Sequence, residues 1–152
     1  MRIQPTYQTI GAEGVGNCMP ASIATITGID LAEIPHFVEA AVEAGAVAVD
    51  GSTLEPMAWL GVFATVQGWL TRNGWSLDVV ERNGASQLAH SEPVMCLALV
   101  MSQQVEGAPH VIVVDGAGRQ VWDPQSLNER SYQPDEVLAM GAVTKLAWPP
   151  RD

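Results

Sequence analysis

The sequence predicts an α+β protein in which helices come first along the chain and a mainly antiparallel sheet follows. Small and apolar residues run from Cys18 to Thr27. Apolar residues then recur at spacings of three and four between Leu54 and Arg72, the period of an amphipathic helix. After Asn73-Gly74 the pattern changes to short runs of strand type, bounded by glycine, proline or polar clusters. Helices and strands segregated in this way favour α+β over alternating βαβ units.

Length and composition fit one domain spanning residues 1–152. Hydrophobic residues make up 47% of the chain and charged residues only 16%, a balance too apolar for a disordered protein. Seventeen acidic against seven basic side chains give a net charge of -10. Such a surface would repel phosphate backbones and anionic membranes, so we expect no nucleic-acid partner and no membrane partner.

Two further features concern compartment and cofactors. Residues 1–10 lack the basic-then-apolar run of a secretory signal, and no segment has the roughly 18 apolar residues of a membrane helix. We therefore expect a cytoplasmic protein. Cys18 and Cys96 lie 78 positions apart, so the sequence suggests neither a zinc site nor a disulfide framework, and no cofactor is implied. Cys96, within an apolar run, is interpreted as a small buried residue.

The first predicted helix carries Cys18 in its first turn. The segment before it, Gly11 to Asn17, has three glycines in seven positions, which indicates an irregular loop whose backbone can approach a ligand. Asn17 is placed to cap the helix, and Gly28 is placed to end it.

Further elements follow from the same signals. Leu31 to Phe37 is predicted to be a connecting turn because Pro35 disfavours a continuous helix, and Val38 to Ala46 a second helix. The apolar face within Leu54 to Arg72 is expected to pack on the sheet. Its members are Trp59, Val62, Phe63, Val66, Trp69 and Leu70. Strands are expected over Trp75 to Val80, Val94 to Val100, His110 to Val114, Arg119 to Trp122 and Val143 to Trp148.

Cys18 is a candidate nucleophile because of its place at a helix start. A thiol attacks a carbonyl carbon as thiolate, and a helix N-terminus with a nearby imidazole favours the thiolate. A glycine-rich approach also leaves backbone N–H groups free to face a developing oxyanion. On its own this position is weak evidence, because a lone cysteine at a helix start more often has a structural role.

His110 and Asp123 are candidate partners because they flank a predicted hairpin with its turn at Gly116-Ala117. If Asp115 pairs with Gly118, His110 lies directly opposite Asp123. Side chains so placed have Cβ atoms about 4.5–5.5 Å apart, close enough for the carboxylate to hold one ring nitrogen and aim the other at the thiol. Asp115 is a weaker candidate, since it lies on the other face of the strand. A half-buried strand histidine and a turn aspartate are the structural alternatives. The other histidines, His36 and His90, are interpreted as packing and surface residues.

Several short motifs resemble those of small uncharacterised papain-like proteins of bacteria and their phages. They are Gln8-Thr9, Gly14 to Ala24 around Gly16-Asn17-Cys18, Ile34-Pro35-His36-Phe37, His110-Val111-Ile112-Val113 and Trp122-Asp123-Pro124. The likeness covers both ends of the chain and leaves residues 40–105 without a counterpart.

This resemblance implies a papain-like cysteine hydrolase fold with its N-terminal helices packed on the sheet. It implies Cys18 as nucleophile, His110 as general base and acid, and Asp123 orienting the histidine. Gln8 would donate to the oxyanion, although it lies ten positions before the cysteine, further than in larger peptidases, and a structural role for it stays open.

The implied activity is that of a thiol hydrolase acting on a peptide, amide or isopeptide bond of a peptide or protein substrate through a covalent acyl-enzyme. The same apparatus can carry out transglutamination, deamidation or acyl transfer. The alternative is a non-catalytic papain-like scaffold that binds another protein, such as a phage or host defence factor.

Overall fold

The computed structural model describes residues 5–7, 17–45, 56–80, 94–104 and 108–147, with the backbone alone at 56–59. Within these ranges, three α-helices and a five-stranded antiparallel sheet form an α+β fold, as the sequence predicts. The helices are α1 (Cys18–Thr27), α2 (Phe37–Glu43) and α3 (Pro56–Arg72); the strands are β1 (Trp75–Val80), β2 (Met95–Met101), β3 (Pro109–Asp115), β4 (Gln120–Trp122) and β5 (Ala139–Lys145). None of the helices in the described ranges is long and apolar enough to cross a membrane.

Helix α1 has the predicted bounds and places Cys18 in its first turn. Gly28 ends it in the left-handed conformation, with φ 75°, and donates its N–H to the Ala24 carbonyl oxygen at 2.9 Å. Asn17 occupies the N-cap position, but its side chain makes no capping hydrogen bond, so this part of the prediction is wrong. The reason is its backbone, since ψ 38° departs from the extended conformation usual for a capping residue.

Helix α2 covers less than the predicted second helix and starts one residue earlier. A short 3₁₀ turn, Leu31–Glu33, lies within the predicted connection. His36 caps α2, because its Nδ1 accepts a hydrogen bond from the Glu39 N–H at 2.9 Å. This contact gives His36 a structural role.

The apolar face of α3 packs on the sheet, as predicted. Val62, Val66 and Leu70 are buried, and Phe63 and Trp69 pack against them; the side chain of Trp59 lies outside the described residues. These α3 residues belong to a larger group of packed apolar side chains, which we call the first core cluster. It contains α1 residues Ile23, Ala24 and Ile26 and sheet residues Trp75, Leu77, Val113 and Val143. A second core cluster covers the other face of the sheet and contains Cys96, Ala98, Val100, Ile112, Val114, Tyr132, Val137, Met140 and Ala142.

The strand order is β1-β5-β2-β3-β4, so the last strand along the described chain lies between β1 and β2. The predicted bounds of this strand, residues 143–148, are wrong, since β5 spans Ala139–Lys145. The first four residues, Ala139 to Ala142, have weak strand propensity and hide the start of β5. Gly141 lies close to the neighbouring strand: a Cβ atom at this position would lie 2.6 Å from Leu77 Cδ1, so the buried Leu77 side chain would have to shift.

The hairpin between β3 and β4 differs from the predicted register. The Asp115 N–H donates to the Arg119 carbonyl oxygen at 2.9 Å, and Gly118 has φ 83°, which makes a three-residue loop rather than a two-residue one. A bulge follows, so that the last described pair is Val113 with Trp122. Asp123 therefore lies just beyond β4 and is not the cross-strand neighbour of His110.

Candidate active site

The candidate site lies at the edge of β3, beside the point where β4 ends. Here α1 makes the contacts that a neighbouring strand would otherwise make. The Val111 N–H donates to Cys18 Sγ at 3.4 Å, and the Val111 carbonyl oxygen accepts from Ser22 Oγ at 3.2 Å. Both backbone groups of Val111 are thus bound by the first two turns of the helix. This arrangement fixes the half-buried thiol against the edge of the strand.

His110 reaches the same edge from the other face of the sheet. It pairs with Val100 and shares its face with Ile112, both in the second core cluster. The helix that carries Cys18 packs on the opposite face, with Val113. Thiol and imidazole therefore approach the edge of β3 from opposite sides.

Asp123 holds one nitrogen of the His110 ring. Its Oδ1 lies 2.7 Å from His110 Nε2, and both residues are buried. The predicted hydrogen bond between the two side chains is therefore confirmed, although the predicted register is wrong. Because Nε2 binds the carboxylate, Nδ1 is the ring nitrogen left for the thiol.

The titration of His110 reflects these neighbours. Burial lowers the pKa of the imidazole, but hydrogen bonds to Asp123 and to Cys18 outweigh it and raise the pKa to about 9. Burial has the opposite effect on the Asp123 carboxyl and raises its pKa. Hydrogen bonds from His110 and Asn128 outweigh burial there too and hold the pKa below its usual range. The buried pair is thus a carboxylate and an imidazolium at neutral pH.

Further contacts that the sequence did not predict surround the pair. Asp123 Oδ1 also accepts from the Gln125 N–H at 2.9 Å, which closes an Asx turn, and Oδ2 accepts from Asn128 Nδ2 at 2.6 Å. The Tyr132 ring lies 5.9 Å from the His110 ring, centroid to centroid. In the sequence, an aspartate before Pro124 and an asparagine five positions later are only a weak signal for this contact. The contact between Asp123 and Asn128 depends on the conformation of the folded loop.

An apolar cavity of about 330 Å³ lies on the helix side of the sheet, between α3 and the strands. Met19 and Val111 line it, and each is next to a group of the site: Met19 follows Cys18, and Val111 binds the sulfur. The rim includes Leu60 and Val79, which are 60% and 65% exposed.

The remaining candidates have other surroundings. Gln8 lies outside the described residues, as does His90. Asp115 Oδ1 accepts from the N–H groups of Ala117 and Arg119, so this carboxylate stabilises the turn. Cys96 is fully buried, and burial raises the pKa of its thiol to about 12. In the described part of the chain, no group of three His, Cys, Asp or Glu side chains is placed to hold a metal ion.

Comparisons with protein-family models, with curated proteins and with solved structures find no match to this chain. The assignment of a function therefore depends on the geometry of the site.

Proposed function

We propose that the protein is a thiol hydrolase in which Cys18, His110 and Asp123 act as a catalytic triad on an amide-type bond. The observation that carries the proposal is the buried His110, held on Nε2 by Asp123 next to a thiol at a helix start. A nucleophile, a base within its reach and a third group that orients the base are the three parts of this chemistry.

The first half of the reaction forms an acyl-enzyme. Beside the His110 imidazolium, the Cys18 sulfur attacks the carbonyl carbon as a thiolate and forms a C–S bond and an oxyanion. The backbone N–H groups of Cys18 and Met19, in the first turn of α1, would stabilise this negative charge, since a helix start leaves such groups without intrahelical acceptors. When the C–N bond breaks, the His110 imidazolium gives its proton to the leaving nitrogen, and a thioester on Cys18 remains.

The second half releases the product. His110 removes a proton from a water molecule, and the resulting hydroxide attacks the thioester carbon. The C–S bond breaks, the carboxylic acid leaves, and Cys18 is again a thiolate beside the His110 imidazolium. Asp123 stabilises the imidazolium in each half without taking up the proton itself. The Val111 N–H stabilises the thiolate as a donor to the sulfur.

The order of the elements supports a papain-like interpretation of the fold. The nucleophile lies at the start of the first described helix, the histidine lies on a later strand, and the third residue follows the next strand. Within that interpretation, Gln8 would be the further donor to the oxyanion. The substrate would be a peptide or protein, and the protein would act in the cytoplasm.

A second candidate is a scaffold of the same fold that binds another protein without catalysis. The apolar cavity favours it, because Leu60 and Val79 expose large apolar surface at its rim and such surface marks binding sites. On this alternative the cavity would receive an apolar segment of the partner.

Alkylation of the two thiols separates the candidates. Iodoacetamide labelling at pH 6, followed by peptide mass spectrometry, should modify Cys18 about 10–100-fold faster than an ordinary thiol, since little ordinary thiol is thiolate at that pH. His110→Ala should remove the advantage. Cys96 is an internal control, because burial and a pKa of about 12 keep it unreactive until the chain unfolds. Slow, equal labelling of both thiols would refute the hydrolase.

A simple acyl donor then tests turnover. With p-nitrophenyl acetate, the hydrolase should release nitrophenol in a burst, carry an acetyl group on Cys18 and lose it again by hydrolysis. Cys18→Ser is the control for non-specific reaction. A reactive thiol whose acetyl adduct persists would favour the binding scaffold.

A further inference from the structure

We propose that Asn128 is a positioning residue, which holds the Asp123 carboxylate in the orientation that reaches His110. The inference rests on the proposed function for its meaning in catalysis, but the contacts that support it are independent of any reaction. It adds to Cys18, His110 and Asp123 a side chain that the sequence analysis does not single out.

Hydrogen bonds to both oxygens of the Asp123 carboxylate restrict its rotation. Asp123 Oδ1 accepts two hydrogen bonds, from His110 Nε2 at 2.7 Å and from the Gln125 N–H at 2.9 Å. Oδ2 accepts from Asn128 Nδ2 at 2.6 Å. Because the two oxygens are bound on different sides, the carboxylate cannot turn about its Cβ–Cγ bond without losing a contact. Without Asn128, the bonds at Oδ1 would have to fix the orientation alone.

The side-chain amide of Asn128 ends in a carbonyl oxygen, which accepts hydrogen bonds, and an NH₂ group, which donates them. Gln104 Nε2 lies 2.9 Å from Asn128 Oδ1. A glutamine NH₂ group can only donate, so it selects the carbonyl oxygen of Asn128 and directs Nδ2 toward Asp123. Tyr132 Oη, 3.5 Å from the same Nδ2, lies on this side as well.

The hydrogen bonds around Asn128 belong to a closed ring of contacts. Gln104 follows β2, and it also donates to the Leu127 carbonyl oxygen at 3.3 Å. The neighbouring Gln103 N–H donates to Tyr132 Oη at 3.0 Å. Since β2 pairs with β3 at Val100 and His110, the ring runs from histidine to aspartate, asparagine and glutamine and back through the sheet. A closed ring restricts each member more than a chain with a free end would.

A positioning role and a purely electrostatic role of Asn128 predict opposite changes in the pKa of His110 when the side chain is removed. A carboxylate that merely loses a donor becomes more basic and would bind the imidazolium more strongly, which raises the pKa of His110. A carboxylate that turns away loses its bond to the ring, and the pKa of His110 then falls from about 9 toward 6.5. The direction of the change therefore identifies the role.

The test is an NMR titration of the His110 ring in Asn128→Ala, alongside the pH profile of Cys18 alkylation by iodoacetamide. The chain has three histidines, so the signal can be assigned with His110→Ala. We expect the His110 midpoint to fall by about one pH unit or more, a tenfold change in acidity, and Cys18 labelling at neutral pH to slow. Asn73→Ala is the matched control, since Asn73 makes its amide contact with the Trp69 carbonyl oxygen at the end of α3.

Two further variants keep the inference testable if Asn128→Ala does not fold. Asn128→Asp places two carboxylates together; its labelling rate relative to wild type should be low at pH 7 and recover as the pH falls toward 5, where one acid binds a proton and can donate. Gln104→Ala removes an exposed side chain and should lower the His110 midpoint less, in the same direction.

The outcomes separate the inference from the proposed function. An unchanged or raised His110 midpoint in the Asn128 and Gln104 variants would overturn the positioning role, even if wild-type Cys18 reacts quickly. A lowered midpoint together with a sluggish wild-type Cys18 would support the positioning role and reject the hydrolase.

Discussion

Replacing Asp123 with asparagine should remove the pH dependence of stability that the buried ion pair creates. His110 is only 6% exposed; burial lowers its pKa, and the hydrogen bonds to Asp123 and Cys18 raise it to about 9, against 6.5 for an ordinary histidine. Between these values the folded state holds a proton that the unfolded state has lost. The free energy of unfolding therefore falls as the pH rises through this window.

The size of the effect follows from the two pKa values. At about 1.4 kcal/mol for each tenfold change in proton affinity, the window from 6.5 to about 9 corresponds to about 3 kcal/mol. This contribution is fully present below pH 6.5 and is lost as the pH passes about 9. In Asp123→Asn the amide still fills the space but carries no charge, so the pKa of His110 should return toward its ordinary value or below it.

Urea unfolding followed by tryptophan fluorescence, in half-unit steps from pH 6 to pH 10, measures this dependence. Wild type should lose about 3 kcal/mol across the range, and Asp123→Asn should change much less. The same series with Cys18→Ser separates the contribution of the thiol to the pH dependence of stability from that of the ion pair. Equal slopes for wild type and Asp123→Asn would refute the ion pair as the source of the dependence.

Two predictions concern the core. Leu70→Ala should lower the free energy of unfolding by about 2–5 kcal/mol, because Leu70 is fully buried in the first core cluster; Leu60→Ala, on the same helix but 60% exposed, should cost less than about 0.5 kcal/mol in the same urea assay. Gly141→Ala should cost about 1–3 kcal/mol, since its Cβ would lie 2.6 Å from Leu77 Cδ1. Gly61→Ala in α3 meets nothing within 4 Å and should stabilise by up to about 1 kcal/mol. Equal effects of the two glycine substitutions would contradict the close approach.

The elements that the sequence predicts well are those with local signals at both ends. Helix α1 ends where Gly28 takes the left-handed conformation, and β1 begins directly after Asn73-Gly74. The start of β5 could not be predicted in this way. Gly141 weakens the strand pattern locally, and the reason for it is Leu77 on another strand.

The three residue types of the candidate site were predictable, whereas the way in which they meet was not. The predicted register depended on a two-residue turn, and one extra loop residue and a bulge moved it. Asp123 still reaches His110, because it lies past the end of β4, where no ladder restricts its direction. The contribution of Val111 is made by its backbone, which no pattern of side chains reveals. Asn128 depends on a loop conformation that Gln104, from a distant segment, helps to fix.

The central place of β5 has a consequence for how the protein is made. Ribosomes deliver residues 75–80 and 95–101 well before residues 139–145, yet β5 is the strand that joins β1 to β2. A nascent chain that already carries Cys18 thus has a sheet in two parts, and α1 and α3 have no continuous surface on which to settle. Both core clusters include residues of β5, Val143 in the first and Met140 and Ala142 in the second, so neither core is complete until this late strand has been made.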